Sequence, residues 1–170
     1  MGCDIHLFIE YKNHAGNWSC FGEEINPGRM YGMFAKMAGV RDYEGIQKFP
    51  LRGLPLECSS EAESKAHMFI NESLQEWYGE DGRSISPERA KYMLEKGWSK
   101  KHPTKDYYIT NSDWHSHSWL TADELESCMT DLNIPAESEK WFLEYRAVVA
   151  AMRVFEKAGY ETRAVFFFDN

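Results

Sequence analysis

The stretch Met1-Gly2-Cys3-Asp4-Ile5-His6-Leu7-Phe8-Ile9-Glu10 decides how the chain folds. Its apolar residues alternate with other types, as a β-strand requires. A side-chain period of two puts Cys3, Ile5, Leu7 and Ile9 on one face and Asp4, His6, Phe8 and Glu10 on the other. An acid and an imidazole therefore share a face one pleat apart, next to an apolar wall that needs a packed layer. A second strand is expected at the far end, where Arg163-Ala164-Val165-Phe166-Phe167-Phe168 runs into Asp169-Asn170. If these two strands pair antiparallel, Asp4 and His6 lie beside Asp169 and Asn170. Two acids, an imidazole and an amide then meet at one edge of a sheet.

Between the two ends, Trp18-Ser19-Cys20-Phe21 reads as a strand returning from a turn at 13–17. Tyr31 to Ala38 predicts a short helix burying Met33, Phe34 and Met37, with Gly39 as its left-handed stop. Residues 41–56 read as an ordered loop rich in Gly and Pro. Ser60-x-x-Glu63 reads as a capping box opening a helix to about Trp77. Ser86 followed by Pro87 opens a second helix ending near Gly97, so 60–97 is expected to be a helical hairpin, an insertion or lid. Tyr107-Tyr108-Ile109 is a strand candidate. Thr121-x-x-Glu124 is another capping box, closed by Asn133-Ile134-Pro135. The longest helix is expected from Pro135 to Ala158, with Phe142, Tyr145, Val149, Met152 and Phe155 as its buried stripe. The fold class that follows is α+β: one domain over residues 1–170, with a mostly antiparallel sheet holding both terminal strands and helices packed on it.

The 170 residues suit a single core of useful size. A formal charge of −8 argues against binding a long polyanion, so no long nucleic acid is expected. A small anionic ligand stays compatible, because local arginines can override the global field. No apolar run is long enough to cross a bilayer, and no membrane partner is expected. The Met-Gly start would suit myristoylation only with Ser or Thr where His6 stands. Cys3, Cys20, Cys58 and Cys128 have no paired spacing, which points to free thiols in a reducing, cytoplasmic setting rather than a zinc framework.

Two constellations carry chemistry. Asp4 with His6 is either an acid/base pair or half of a metal site, and with Asp169 it makes a candidate set for Zn²⁺ or Mn²⁺. The plainer alternative is a partly exposed polar strand face. The second is Trp114-His115-Ser116-His117-Ser118-Trp119. On an extended backbone its two imidazoles would share one face, and the helix opening at Thr121 would lend its dipole to any anion alongside. His115 and His117 are thus candidate catalytic residues or ligands, against the alternative of two exposed loop histidines. Arg41 and Arg52 are candidate phosphate clamps, with salt bridges to the surplus of acids as the alternative. Tyr43, Trp119 and Ser116 complete the candidate ligand-binding set with Asn170; Tyr43, Trp114 and Trp119 are placed to stack a base. A serine hydrolase is disfavoured, because no Gly-x-Ser-x-Gly elbow occurs.

Met-Gly-Cys-Asp-Ile-His at the start, the Met33–Asp42 segment, Arg-Gly-Leu-Pro at 52–55, His-Ser-His-Ser-Trp-Leu-Thr at 115–121 and Phe-Phe-Asp-Asn at the end together resemble a family of small proteins. Its members occur in tailed bacteriophages and bacterial genomes and are mostly labelled hypothetical. The likeness leaves out the segment from about Ser60 to Gly97. It implies a phage accessory protein in the cytoplasm of an infected host, where such proteins commonly counter host defence. Joined to the residue reading, it gives the functional expectation: action on a nucleotide or phosphodiester, with metal-assisted hydrolysis of a cyclic nucleotide immune messenger as the enzymatic form. The alternatives are a non-catalytic sponge that traps the messenger, built across a homo-oligomer interface, or an acidic protein that blocks a host defence factor.

Overall fold

The opening decapeptide forms the strand that its alternation predicts. A computed structural model describes residues 2–55, 57–66, 68–71, 76–78, 99–101, 108–110, 114–130 and 142–169. Strands β1 (Asp4–Lys12) and β2 (Trp18–Cys20) form a hairpin, followed by α1 (Tyr31–Ala38) and α2 (Ser60–Lys65). Then come β3 (Met68–Asn71), β4 (Glu76–Tyr78), β5 (Ser99–Lys101), β6 (Tyr108–Thr110) and β7 (Trp114–Leu120). Helices α3 (Ala122–Thr130) and α4 (Leu143–Lys157) lead into the last strand, β8 (Thr162–Asp169).

The main sheet has the order β2-β1-β8-β7, and every neighbouring pair is antiparallel. Its central ladder runs from Asp4↔Asp169 to Tyr11↔Thr162, so the two ends of the chain lie side by side as expected. The fold is α+β, with both terminal strands in one antiparallel sheet. The shorter strands form a second antiparallel sheet in the order β4-β3-β6-β5.

Both faces of the main sheet are covered, which explains why β8 is apolar almost throughout rather than alternating. On one face Cys3, Ile5, Leu7, Ile9, Ala164, Phe166 and Phe168 pack under α1, α3 and α4. Met33, Phe34 and Met37 from α1 and Tyr145, Val149 and Met152 from α4 supply the facing layer, as their helical spacing predicts. On the opposite face Phe8, Val165 and Phe167 meet Ala62 and Ala66 around α2. Each fully buried large side chain contributes roughly 1.5–3 kcal/mol, so the two layers supply most of the driving force.

One polar network crosses that second face. Glu10, fully buried, accepts hydrogen bonds from Arg163 Nε at 2.7 Å and from the Ser59 backbone at 2.6 Å. Arg163 also reaches the Glu57 carbonyl and lies 3.6 Å over the Trp18 ring. These contacts tie β1, β8, β2 and the start of α2 together.

Local signals behave as their chemistry dictates. Gly39 ends α1 at φ 69°, where a side chain is strained. Thr121 and Glu124 form the reciprocal box: Glu124 N donates to Thr121 Oγ1 at 3.3 Å, and Thr121 N to Glu124 Oε2 at 2.9 Å. The helix expected to run from Ser60 to Trp77 is different. Ser59, not Ser60, is its cap, accepting from Ala62 N, and the helix stops at Lys65. Met68-Phe69-Ile70 is a run that favours a pleated backbone, and it joins β3 while Trp77 lies in β4. The second helix of that hairpin, Ser86 to Gly97, lies outside the described residues. So do the Asn133-Ile134-Pro135 stop and the proposed start of the last helix at Pro135; its described part is Leu143–Lys157.

Candidate functional site

The paired ends of β1 and β8 bring Asp4, His6 and Asp169 to one face of the sheet. Asp4 N donates to Asp169 Oδ1 at 3.0 Å, and His6 Nε2 stands 3.5 Å from Asp169 Oδ2. Asn170, expected beside them, lies outside the described residues.

His6 is the centre of this cluster. Its Nδ1 is 2.6 Å from Glu24 Oε1, on the chain that follows β2. An ionised carboxylate only accepts, so this contact assigns a hydrogen to Nδ1. Nε2 is buried and, among the described residues, makes no hydrogen bond of acceptable geometry. The ring stacks on Trp114 (centroids 4.6 Å) and on Phe167 (5.2 Å), and its side chain is 14% exposed. Lys65, at the end of α2, closes the group with Nζ 3.7 Å from Glu24 and 5.9 Å from the Trp114 ring.

The two histidines of β7 do not share a face. The ladder with β8 pairs His115 with Phe168 but Ser118 with Phe166, so one extra residue is accommodated between them. Ser116 takes it up at φ 56°, the left-handed backbone of a bulge. His115 therefore stacks on Phe168, on the face covered by α1, α3 and α4, with Nδ1 2.9 Å from Ser116 Oγ. His117 stacks on Phe167 at 5.1 Å, on the face of His6. The expected His115–His117 pair is replaced by His6 and His117, arranged about one phenyl ring on three adjacent strands. The strict alternation assumed for the run hid this, because no glycine marks the bulge.

The remaining candidates are placed as follows. Arg52 is not open to phosphate. It forms a bidentate pair with Glu124 (2.8 and 2.5 Å), donates to the Trp119 carbonyl, and lies 4.4 Å over the Trp119 ring. That pairing holds the Glu124 carboxyl below the usual range. Trp119 thus packs against Arg52 rather than presenting its face for a base. Arg41 adopts φ 53°, is 5.1 Å over Tyr31 and hydrogen-bonds Tyr43, which is 86% exposed. Asp4 is engaged as well: Arg29 Nε and Nη2 reach its two oxygens at 2.5 and 2.6 Å, which lowers the Asp4 pKa.

Among the described residues no three His, Cys, Asp or Glu side chains converge as a metal requires. The Asp4–His6–Asp169 set does not close on a common point, because the Asp4 carboxylate is turned to Arg29. None of the four cysteines is in a disulfide, in keeping with the thiols expected, and burial raises the Cys3 thiol pKa, against a nucleophilic role. Among the described residues no helix is long and apolar enough to cross a membrane.

Glu24, Arg29, Lys65 and Phe167 belong to this cluster and were not singled out from the sequence. Phe167 was legible in kind, since it neighbours Asp169 on the same face. Glu24, Arg29 and Lys65 come from loops and a helix end, and nothing in their local sequence points to His6. No protein-family model, curated protein or solved structure matches the chain, and the geometry of this cluster is the basis for a functional reading.

Proposed function

We propose that the protein binds a small phosphodiester or nucleotide on the His6 face of its main sheet and cleaves it by proton transfer between His6 and His117. The observation that carries this reading is the shared face: two imidazoles flank Phe167, and one of them is oriented by a carboxylate at 2.6 Å. An imidazole held at one nitrogen presents the other in a fixed direction, as general acid–base catalysis needs. The ligand must displace the side chains that cover His6 Nε2. That nitrogen then takes the proton from the attacking hydroxyl or water as the new P–O bond forms, and Asp169 at 3.5 Å stabilises the resulting imidazolium. His117 gives a proton to the leaving oxygen as the old P–O bond breaks. Trp114, stacked on His6, supplies an aromatic wall for the ligand.

This version needs no divalent ion, and it replaces the metal-assisted form expected from the sequence. A cyclic nucleotide messenger remains the substrate class nominated by the resemblance to phage proteins. The test is incubation of the protein with cyclic dinucleotides in EDTA, followed by chromatography. Turnover that survives EDTA and falls about 10²-fold or more in His6→Gln and in His117→Gln, but not in His115→Gln, supports the proposal. Ligand retained intact and released on heat denaturation replaces the enzyme with a sponge. No turnover and no retention refutes a nucleotide function and leaves the protein-interaction alternative.

A further inference from the structure

The proposed site has an electrostatic problem. Asp4, Glu24 and Asp169 surround His6, and three carboxylates repel a phosphate. Arg52, one of the two arginines expected to hold phosphate, is spent on Glu124, and the nearby Arg163 on Glu10 and the Glu57 carbonyl. Lys65 already leans on Glu24.

Arg29 is different. It grips Asp4 side-on, through Nε and Nη2 only. Among the described residues Nη1 makes no hydrogen bond, and the side chain is 54% exposed. The edge formed by Nη1 and Nη2 therefore keeps donors in the fork geometry that suits an oxyanion. The guanidinium also lies flat against Gly2, where an added Cβ would sit 2.2 Å from Nη1 and 2.7 Å from Cζ. A side chain at position 2 would push the guanidinium off its seat. Gly2 and Asp4 together hold Arg29 at the end of the sheet that carries Asp169 and His6.

We infer that Arg29 is the anion-holding residue of this site, with Asp4 and Gly2 as its positioning residues, and that the ligand group it takes is a phosphate oxyanion. Asp4 is then a support rather than an acid, base or metal ligand. This rests on the proposed location of the site but not on hydrolysis, so the two are tested apart.

The experiment titrates inorganic phosphate into the ¹⁵N-labelled protein and follows the Arg29 Nε–H and His6 ring resonances by NMR. Saturable shifts of both are expected in the native protein. They should weaken about tenfold or more in Arg29→Gln, since a bidentate charged contact is lost. Gly2→Ala keeps the arginine but displaces it, and should weaken binding several-fold; Arg29→Lys should fall between native and Arg29→Gln. Arg52→Gln should bind as the native protein does. An unchanged affinity in Arg29→Gln and Gly2→Ala, or no saturable shift at all, overturns the assignment. If cyclic dinucleotides are cleaved yet Arg29→Gln leaves KM and kcat unchanged, the assignment fails while the proposed function stands. If phosphate binds at Arg29 but no nucleotide is turned over, the reverse holds.

Discussion

Truncating Glu10 should destabilise the protein more than any other single polar change on the His6 face. Glu10 is fully buried and takes a charge-assisted hydrogen bond from Arg163 Nε at 2.7 Å, with Nη2 in ion-pair contact at 2.7 Å and a second hydrogen bond from Ser59 N. In Glu10→Ala the Arg163 guanidinium, 9% exposed, keeps only the Glu57 carbonyl and the Trp18 ring. Removing one partner of a buried pair typically costs about 3–5 kcal/mol, because the other charge stays desolvated. Set against a total stability of about 5–15 kcal/mol, that is a large share. Urea denaturation of Glu10→Ala, Arg163→Ala and the double variant forms a cycle that isolates the pair. Each single change should cost about 3 kcal/mol or more, and the double well under the sum, with a coupling of about 2 kcal/mol. Single losses below about 1 kcal/mol that add without coupling would refute the idea that this network holds β1, β8 and α2 in place.

Three further outcomes follow from local geometry. Tyr145 is fully buried and, among the described residues, its hydroxyl has no hydrogen-bond partner, so Tyr145→Phe should stabilise the fold by about 1 kcal/mol in the same denaturation assay. The Glu124 carboxyl titrates below its unfolded value because of Arg52, so the pair's contribution is present above about pH 4.3 and is lost as pH falls through the lower, folded value. Acid unfolding of Arg52→Gln should therefore show a shallower loss of stability below pH 4.3, with about 1 kcal/mol already missing at neutral pH. Ser116→Gly relaxes a φ of 56° but removes the Oγ contact to His115 Nδ1, so the two effects should nearly cancel, with a change under about 1 kcal/mol in thermal unfolding and a shift of the His115 ring resonances but not those of His117.

Much of the scaffold was legible because it follows from short-range rules. The alternation of Cys3 to Ile9 and the apolar run to Phe168 fix two central strands, and Thr121 with Glu124 fixes a helix start. The register Asp4↔Asp169 came from assuming that these strands pair, and they do. Two kinds of feature were not legible. A single bulged serine with φ above zero reverses the face of every residue on one side of it, and nothing in His115-Ser116-His117 announces it. Long-range ion pairs are also silent in sequence. Arg52 looked ready for phosphate and Arg29 did not, and only the fold sends the first to Glu124 and seats the second on Gly2 beside Asp4. The helix expected to reach Trp77 failed for a third reason: an apolar stripe with helical spacing also contains a strand-forming triplet, and pairing between strands decides the outcome.

The measurement that bears most directly on this account is the set of NOE contacts from the three histidine rings in a ¹³C-labelled sample. The rings of His6 and His117 should both show cross-peaks to Phe167, and the ring of His115 to Phe168. Cross-peaks from both His115 and His117 to Phe167, with none from His6, would contradict it and remove the basis for a site on that face.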